Sequence, residues 1–448
     1  MPAGFSVALP GMETPGASPT ELAQWWRQFG DPVLSALAER ALADNRDVRE
    51  AIARVKEARA LERATDARAL PQIGVAASAA RDRISENNRF PLRGVPNATA
   101  LYQSQFDASW ELDLFGGIQR AREAAGADTG RVEFDREAVT VSVSAEVAAA
   151  YLRLRSAQAQ LATLGEQIAV SRETIVIVAA RVKAGLVSEV DLLRARELLA
   201  TLEARQPLLE ATVGVEMRRL GVLVGAQSGS LIAELSVPRA PPQAVPQLPA
   251  AVPADLLARR ADLRSIERSL AAENARVGVA EADRYPRLSL SLSLGLLSLA
   301  TGNFGSAASA MWNAGTGVKA PIYDGGARDA RLAAARARYE QAAIRYEDAA
   351  ARAVEEAESA ALRYGGSRQR REKLIEALRA DEDARNLSRV RYEGGLADFL
   401  AVLDAQRQLF AAQDEEVIAR EQAQLHLVSL YKALGGGWNA PRYEASTL

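Results

Sequence analysis

RLSLSLSLG, Arg287 to Gly295, sets leucine at 288, 290, 292 and 294 against serine at 289, 291 and 293. Alternate residues of a strand share a face, so the stretch predicts a strand with Leu288, Leu290, Leu292 and Leu294 on one side and hydroxyls on the other. LYQSQFDASWELDL (101–114) repeats the pattern, with Tyr102, Phe106, Ala108, Trp110 and Leu112 opposite Gln103, Gln105, Asp107, Ser109 and Glu111. In WNAGTGVKAPI (312–322), Trp312, Ala314, Thr316, Val318, Ala320 and Ile322 oppose Asn313, Gly315, Gly317 and Lys319. The weakest case is PQIGVAASAA (71–80), where Ile73, Val75 and Ala77 alternate with small or polar residues. Strands are therefore expected near 71–82, 101–113, 286–298 and 310–322.

Such alternation most commonly marks a half-buried antiparallel sheet on a soluble domain. Three features point instead to a membrane barrel. The polar faces carry Gln, Asp, Glu and Asn, as a wet lumen would; aromatics lie near strand ends; and each segment is about 10 residues long, the length of a tilted membrane strand. On this reading Leu288, Leu290, Leu292, Leu294, Trp110 and Trp312 face lipid. A bacterial barrel needs at least about eight strands, and an open sheet in lipid leaves unpaired edges at prohibitive cost. Several copies must share the barrel, and three would give 12 strands.

The chain is also a duplication. RVKAGLVSEVDLLRARELL (181–199) aligns with RYEGGLADFLAVLDAQRQL (391–409), matching Arg181 to Arg391, Gly185 to Gly395, Leu186 to Leu396, Leu193 to Leu403 and Ala195 to Ala405, at an offset of 395 − 185 = 210. DLFGGIQRARE (113–123) answers IYDGGARDARL (322–332), and LPQIGVAAS (70–78) answers YPRLSLSLS (285–293). This unit replaces the two or three separate domains that 448 residues would ordinarily form. Each copy runs helix, strand, loop, strand, very long helix, tight turn, returning helix. The predicted division is a first repeat over 1–237, a proline-rich linker over 238–253 (PRAPPQAVPQLPAAVP), a second repeat over 254–438 and a tail over 439–448. The long helices are expected from about Ile118 to Ala184 and from about Ala327 to Glu393. At 1.5 Å per residue each is a rod of about 100 Å, which must pack against other helices along most of its course.

Composition narrows the chemistry. Formal net charge is −2 and the basic residues are dispersed, so nucleic acid is not an expected partner. There is no cysteine, and the single histidine, His426, lies in a helical pattern, so no metal site or cofactor is expected. GGG at 435–437 has no strand before it and no helix after it, unlike a nucleotide-binding fingerprint. No nucleophile, base or metal cluster suggests an enzyme. Four methionines and no cysteine offer no soft-metal relay, which favours organic cargo over copper or silver. MPAGFSVALPGMETPGASPT, at the start, lacks the basic opening and apolar core of a signal peptide, so the chain is expected either to be cytosolic or to lack its export signal already.

WWRQFGDPVLSALAERALADNRDVREAIARV (25–55), WELDLFGGIQRA (110–121), RYEGGLADFLAVLDAQRQLF (391–410) and LYKALGGGW (430–438) together make the chain resemble the TolC-like outer membrane factors, in the branch serving RND-type tripartite efflux pumps. The resemblance spans nearly the whole chain. It implies a mainly α protein with membrane β structure: a homotrimer with a 12-stranded β-barrel, four strands per chain, continued by a long periplasmic α-helical barrel with a mixed equatorial region. It also implies an energy-independent exit duct in outer-membrane lipid, docked to a periplasmic adaptor protein and an inner-membrane RND pump. Members of this branch commonly begin, after processing, with a lipid-bearing cysteine, which this sequence lacks: either the segment containing it has been trimmed, or the protein is anchored by its barrel alone. The same architecture could serve type I protein secretion, and a soluble structural coiled-coil protein would be the reading from another class.

AGLVSEVD (184–191) and GGLADFLA (394–401) lie where each long helix must reverse. Their glycines suit a helix C-cap, and Ser188 and Asp398 are plausible N-caps of the returning helices. The resemblance makes Gly185, Leu186, Ser188, Gly395 and Leu396 the tips that meet the adaptor. Leu400, Asp404 and Arg407 fall on one helical face, and the resemblance places Tyr392, Leu400, Asp404 and Arg407 where the duct narrows. Subtracting 210 sets Arg194 opposite Asp404 and Glu197 opposite Arg407, with charges reversed, so Asp404–Arg194 and Arg407–Glu197 pairs could hold this gate shut. Asp191 could add a threefold acidic ring favouring cations.

Overall fold

The computed structural model describes residues 5–6, 22–83, 85, 98–242 and 253–438. After a 3-10 turn at Trp25–Phe29 come α1 (Pro32–Asp44) and α2 (Arg46–Asp66), β1 (Gln72–Arg83), β2 (Ala98–Leu112), α3 (Gly117–Lys183), α4 (Glu189–Leu223) and the short α5 (Ile232–Leu235). The second half supplies α6 (Pro253–Arg259), α7 (Ala261–Ala282), β3 (Arg287–Ser298), β4 (Ala310–Lys319), α8 (Ala327–Glu393) and α9 (Phe399–Ala433). Helices α3 and α8 begin and end at the repeat offset (327 − 117 and 393 − 183), and so do α4 and α9 (399 − 189 and 433 − 223). The four strands begin within three residues of the expected positions. β4 stops at Lys319, so Ala320 and Ile322 lie beyond the ladder. Most of the proline-rich linker and the whole C-terminal tail lie outside the described residues. Among the described residues, no helix is long and apolar enough to cross a membrane.

The chain forms two compact units, and neither is one sequence repeat. One comprises 1–53, 133–264 and 347–448; the other comprises 54–132 and 265–346. Each repeat contributes to both, because the long helices pass from one unit to the other.

In the first unit, the core gathers Trp25, Trp26, Phe29, Leu34 and Leu37 with Tyr151, Leu152, Leu154, Leu220 and Tyr431. Asp31 caps α1, accepting from Val33 N at 2.8 Å and Leu34 N at 3.2 Å ahead of Pro32 at the first turn. Its second oxygen accepts from the Tyr151 hydroxyl at 2.6 Å. Burial, then that hydrogen bond, pushes the Tyr151 pKa up. Arg155 is fully buried, lies 4.9 Å over the Tyr151 ring, and donates to Gln158 and to the Val237 carbonyl. Trp25 stacks on Tyr431 at 5.3 Å. The WWRQFGDPVL stretch is thus the central packing element of this unit.

The GGG run is structural too. Gly435 ends α9 with φ of 77°, and a Cβ there would stand 2.8 Å from the Arg259 carbonyl. Gly225, its counterpart in the first repeat, has φ of 74° and the same kind of close approach, to Asp44. Only glycine meets both demands. Trp438 Nε1 then donates to the Arg259 carbonyl at 2.8 Å.

Candidate functional site

In the second unit the strands form one antiparallel sheet in the order β1-β2-β3-β4. Its register sets Val75, Phe106, Leu294 and Trp312 in one row, and Ile73, Ala108, Leu292 and Ala314 in the next. Trp110, Leu290 and Thr316 continue that face, followed by Leu112, Leu288 and Val318. Ile73 is 76% exposed, Phe106 60% and Trp312 75%, so large apolar side chains stand open to the surroundings in successive rows of one face. The opposite face holds Gln103, Gln105, Asp107, Ser109 and Glu111 beside Ser289, Ser291 and Ser293. Trp110 anchors the helix end of the sheet, donating from Nε1 to the Ala69 carbonyl at 2.9 Å.

The first unit holds the two helical hairpins. In the first, Gly185 has φ of 71°, its N–H bonds to the Val182 carbonyl, and Leu186 N–H reaches back to the Arg181 carbonyl. Gly395 repeats this at φ of 73°, with bonds to Tyr392 and Arg391. Both are Schellman turns, which satisfy the last carbonyls of a helix and need a left-handed residue. Ser188 starts α4 in a capping box, accepting from Val190 N while Asp191 accepts from Ser188 N. Asp398 starts α9 by accepting from Ala401 N at 3.0 Å. With their backbones satisfied, the turns leave Leu186 73% and Leu396 74% exposed.

Behind the turns, Val178, Ala195, Leu198, Leu202, Phe399 and Leu403 pack into a common core. Tyr392 packs on its edge, with Arg181 centred 4.4 Å over the ring and Phe399 tilted against it at 5.7 Å. Arg407 forms an ion pair with Glu197. Arg194 and Asp404 are exposed and make no ion pair with each other among the described residues. Leu400 is 38% exposed. Two further links between the hairpins escaped sequence reasoning. Arg205 pairs with Asp414 at 2.6 Å, and Gln167 donates to the Phe410 carbonyl and the Gln413 side chain. The available signal was weak: Arg205 and Asp414 lie two helical turns beyond Glu197 and Arg407, again with opposite charges.

The family profile for outer membrane efflux proteins matches residues 37–226 and 252–436. The pyoverdine export outer membrane protein OpmQ of Pseudomonas aeruginosa is 30% identical, the match covering 94% of this chain and 89% of that protein. The solvent efflux pump outer membrane protein SrpC of Pseudomonas putida is 32% identical, over 92% of this chain and 87% of its own length. Among solved structures, the outer-membrane channel OprN superposes with a TM-score of 0.89 at 33% identity, covering 98% of this chain and 97% of OprN. VceC of Vibrio cholerae superposes with a TM-score of 0.85 at 26% identity, over 93% and 99%. With both halves matched and the fold shared from end to end, the chain belongs to the outer membrane efflux protein family and is a TolC-like outer-membrane channel protein.

Proposed function

We propose that three copies of the chain form the exit duct of a tripartite RND-type efflux pump, passing drugs or other small toxic compounds outward with no chemical step of their own. The observation that carries this is the sheet: one face apolar and exposed, the other polar, with β1 and β4 as its unpaired edges among the described residues. Lipid tolerates such a sheet only when it closes. Joining β4 of each copy to β1 of the next closes 12 strands, with leucines and aromatics outward and serines and carboxamides inward. The helices enclose the periplasmic part of the duct.

In this assembly Gly185, Leu186, Ser188, Gly395 and Leu396 form the surface that meets a periplasmic adaptor, itself held to an inner-membrane RND pump. Tyr392, Leu400, Asp404, Arg407, Asp191, Arg194 and Glu197 form the gate. The Arg407–Glu197 pair supports a latch between the hairpins, whereas Arg194 and Asp404 are left for contacts between copies. The sequence repeats remain the duplicated unit, at 1–237 and 254–438. Mass measurement in mild detergent, corrected for bound detergent, tests the assembly. A trimer that needs detergent is expected; a monodisperse monomer soluble without it would refute the shared barrel.

A further inference from the structure

On the polar face of the sheet, charge is unevenly placed. Asp107 shares a row with Gly74, Ser293 and Asn313, none of them charged and none long enough to cover it. The next row holds Ala76, Gln105, Gly295 and Met311, and the row on the other side holds Gln72, Ser109, Ser291 and Gly315. Among the described residues, the basic residues of this face are Arg287 and Lys319, paired with each other in register at the helix end. Ser293 lies six positions along β3 from Arg287, about 20 Å along the strand. Arg287 is moreover engaged by Asp283 at 2.5 Å and by Glu111 at 3.9 Å. Among the described residues, Glu111 is therefore compensated and Asp107 has no ion pair.

The side chains on β2 hold this carboxylate in place. Gln103 Nε2 donates to Gln105 Oε1, and Gln105 Nε2 donates to both oxygens of Asp107, at 2.8 and 3.0 Å. Two carboxamides in series thus direct donors towards the carboxylate and fix its position.

We infer that Asp107 is a charge-selecting residue of the duct, setting a threefold anionic ring midway along the barrel that favours cationic over anionic cargo. This rests on the trimeric duct proposed above. Twelve strands about 4.8 Å apart, tilted by about 40°, enclose a backbone radius of about 12 Å. A carboxylate reaching inward then stands about 9 Å from the axis, near the Debye length of about 8–10 Å at physiological salt. Three such charges at one level overlap on the axis, and the low-dielectric wall strengthens their field. The ring would enrich small cations over anions on the order of fivefold at about 0.1 M salt, and hardly at all at about 1 M, where the Debye length is about 3 Å.

Because the chain has no cysteine, a single introduced thiol reads the local potential whatever the state of the periplasmic gate. The reporter is Ser293→Cys, the register neighbour of Asp107, in trimers reconstituted into liposomes. It is treated with membrane-impermeant methanethiosulfonates, one cationic and one anionic. The ratio of the two rates cancels any change in thiol ionisation. Adding Asp107→Asn should lower the cationic-to-anionic ratio several-fold at about 0.1 M salt and leave it unchanged at about 1 M. Glu111→Gln should have little effect on it. Leu292→Cys, on the lipid face, should stay unreactive. If Ser293→Cys reacts freely and the ratio at low salt is the same with and without Asp107→Asn, the charge-selection inference is overturned and the duct stands. If Ser293→Cys is no more accessible than Leu292→Cys, the lumen itself is refuted, and the inference with it.

Discussion

Arg407 of α9 forms an ion pair with Glu197 of α4, and the two residues occupy equivalent positions of a duplicated unit (407 − 197 = 210). Opposite charges at the two equivalent positions make this pseudo-symmetric contact an attraction between the hairpins. Both partners are substantially exposed, at 41% and 60%, so each pair contributes about 0.5 kcal/mol.

Three such pairs in a trimer sum to about 1.5 kcal/mol, roughly tenfold in the open fraction. Single-channel recording of Arg407→Ala should therefore show an open fraction raised by about that factor, and the charge swap Arg407→Glu with Glu197→Arg should bring it back down. An unchanged open fraction in Arg407→Ala would remove the latch from the gate.

The glycines separate two costs. Gly185 has positive φ but open space around its missing Cβ, so Gly185→Ala should destabilise by about 1–2 kcal/mol, the left-handed backbone alone. Gly435→Ala adds an overlap with the Arg259 carbonyl at 2.8 Å and should cost more than about 3 kcal/mol. Thermal unfolding of purified trimers checks the order, and a Gly435→Ala protein as stable as Gly185→Ala would contradict it.

Leu186 and Leu396 contribute little to the fold, being exposed at the turns. Leu186→Asp with Leu396→Asp should leave trimer yield and melting temperature almost unchanged, within about 0.5 kcal/mol. Survival of an efflux-deficient host on toxic cargo should nevertheless fall to the level of the empty vector. Full rescue would mean that partners do not dock on these side chains.

Glu216 is 8% exposed, and burial raises its pKa above the ordinary carboxylate value despite the nearby Arg153 and Arg219. The folded state therefore holds this proton more tightly than the unfolded chain. Its contribution to stability is fully present below the unfolded pKa of about 4.3 and is lost as pH rises through the folded value. Glu216→Gln should raise the melting temperature at pH 7, with the advantage over wild type shrinking as pH falls towards 4. A difference independent of pH would show that the carboxylate is not penalised by burial.

Much of the fold was legible because its signals are local. Alternation in 287–295 depends only on the two-residue period of a strand, and the helix lengths only on an uninterrupted run between capping residues. The Schellman glycines Gly185 and Gly395, and the N-caps Ser188 and Asp398, were readable because a helix end needs particular residues within a few positions of itself. The ion pairs were only half legible. Charge reversal at the repeat offset nominated two pairs equally, yet within the chain Arg407 meets Glu197 while Asp404 does not meet Arg194.

By itself, then, the sequence determined the four two-faced strands, the duplication, the paired turns and the need for more than one copy, since each follows from local periodicity or from the cost of an open edge in lipid. The tertiary structure decided the order β1-β2-β3-β4, the close backbone approaches at Gly225 and Gly435, the Arg205–Asp414 link and the row that sets Asp107 beside Gly74 and Ser293. It also drew the two compact units across both repeats. These are matters of which distant segment lies opposite which, set by packing and register over hundreds of residues and unmarked by any local pattern.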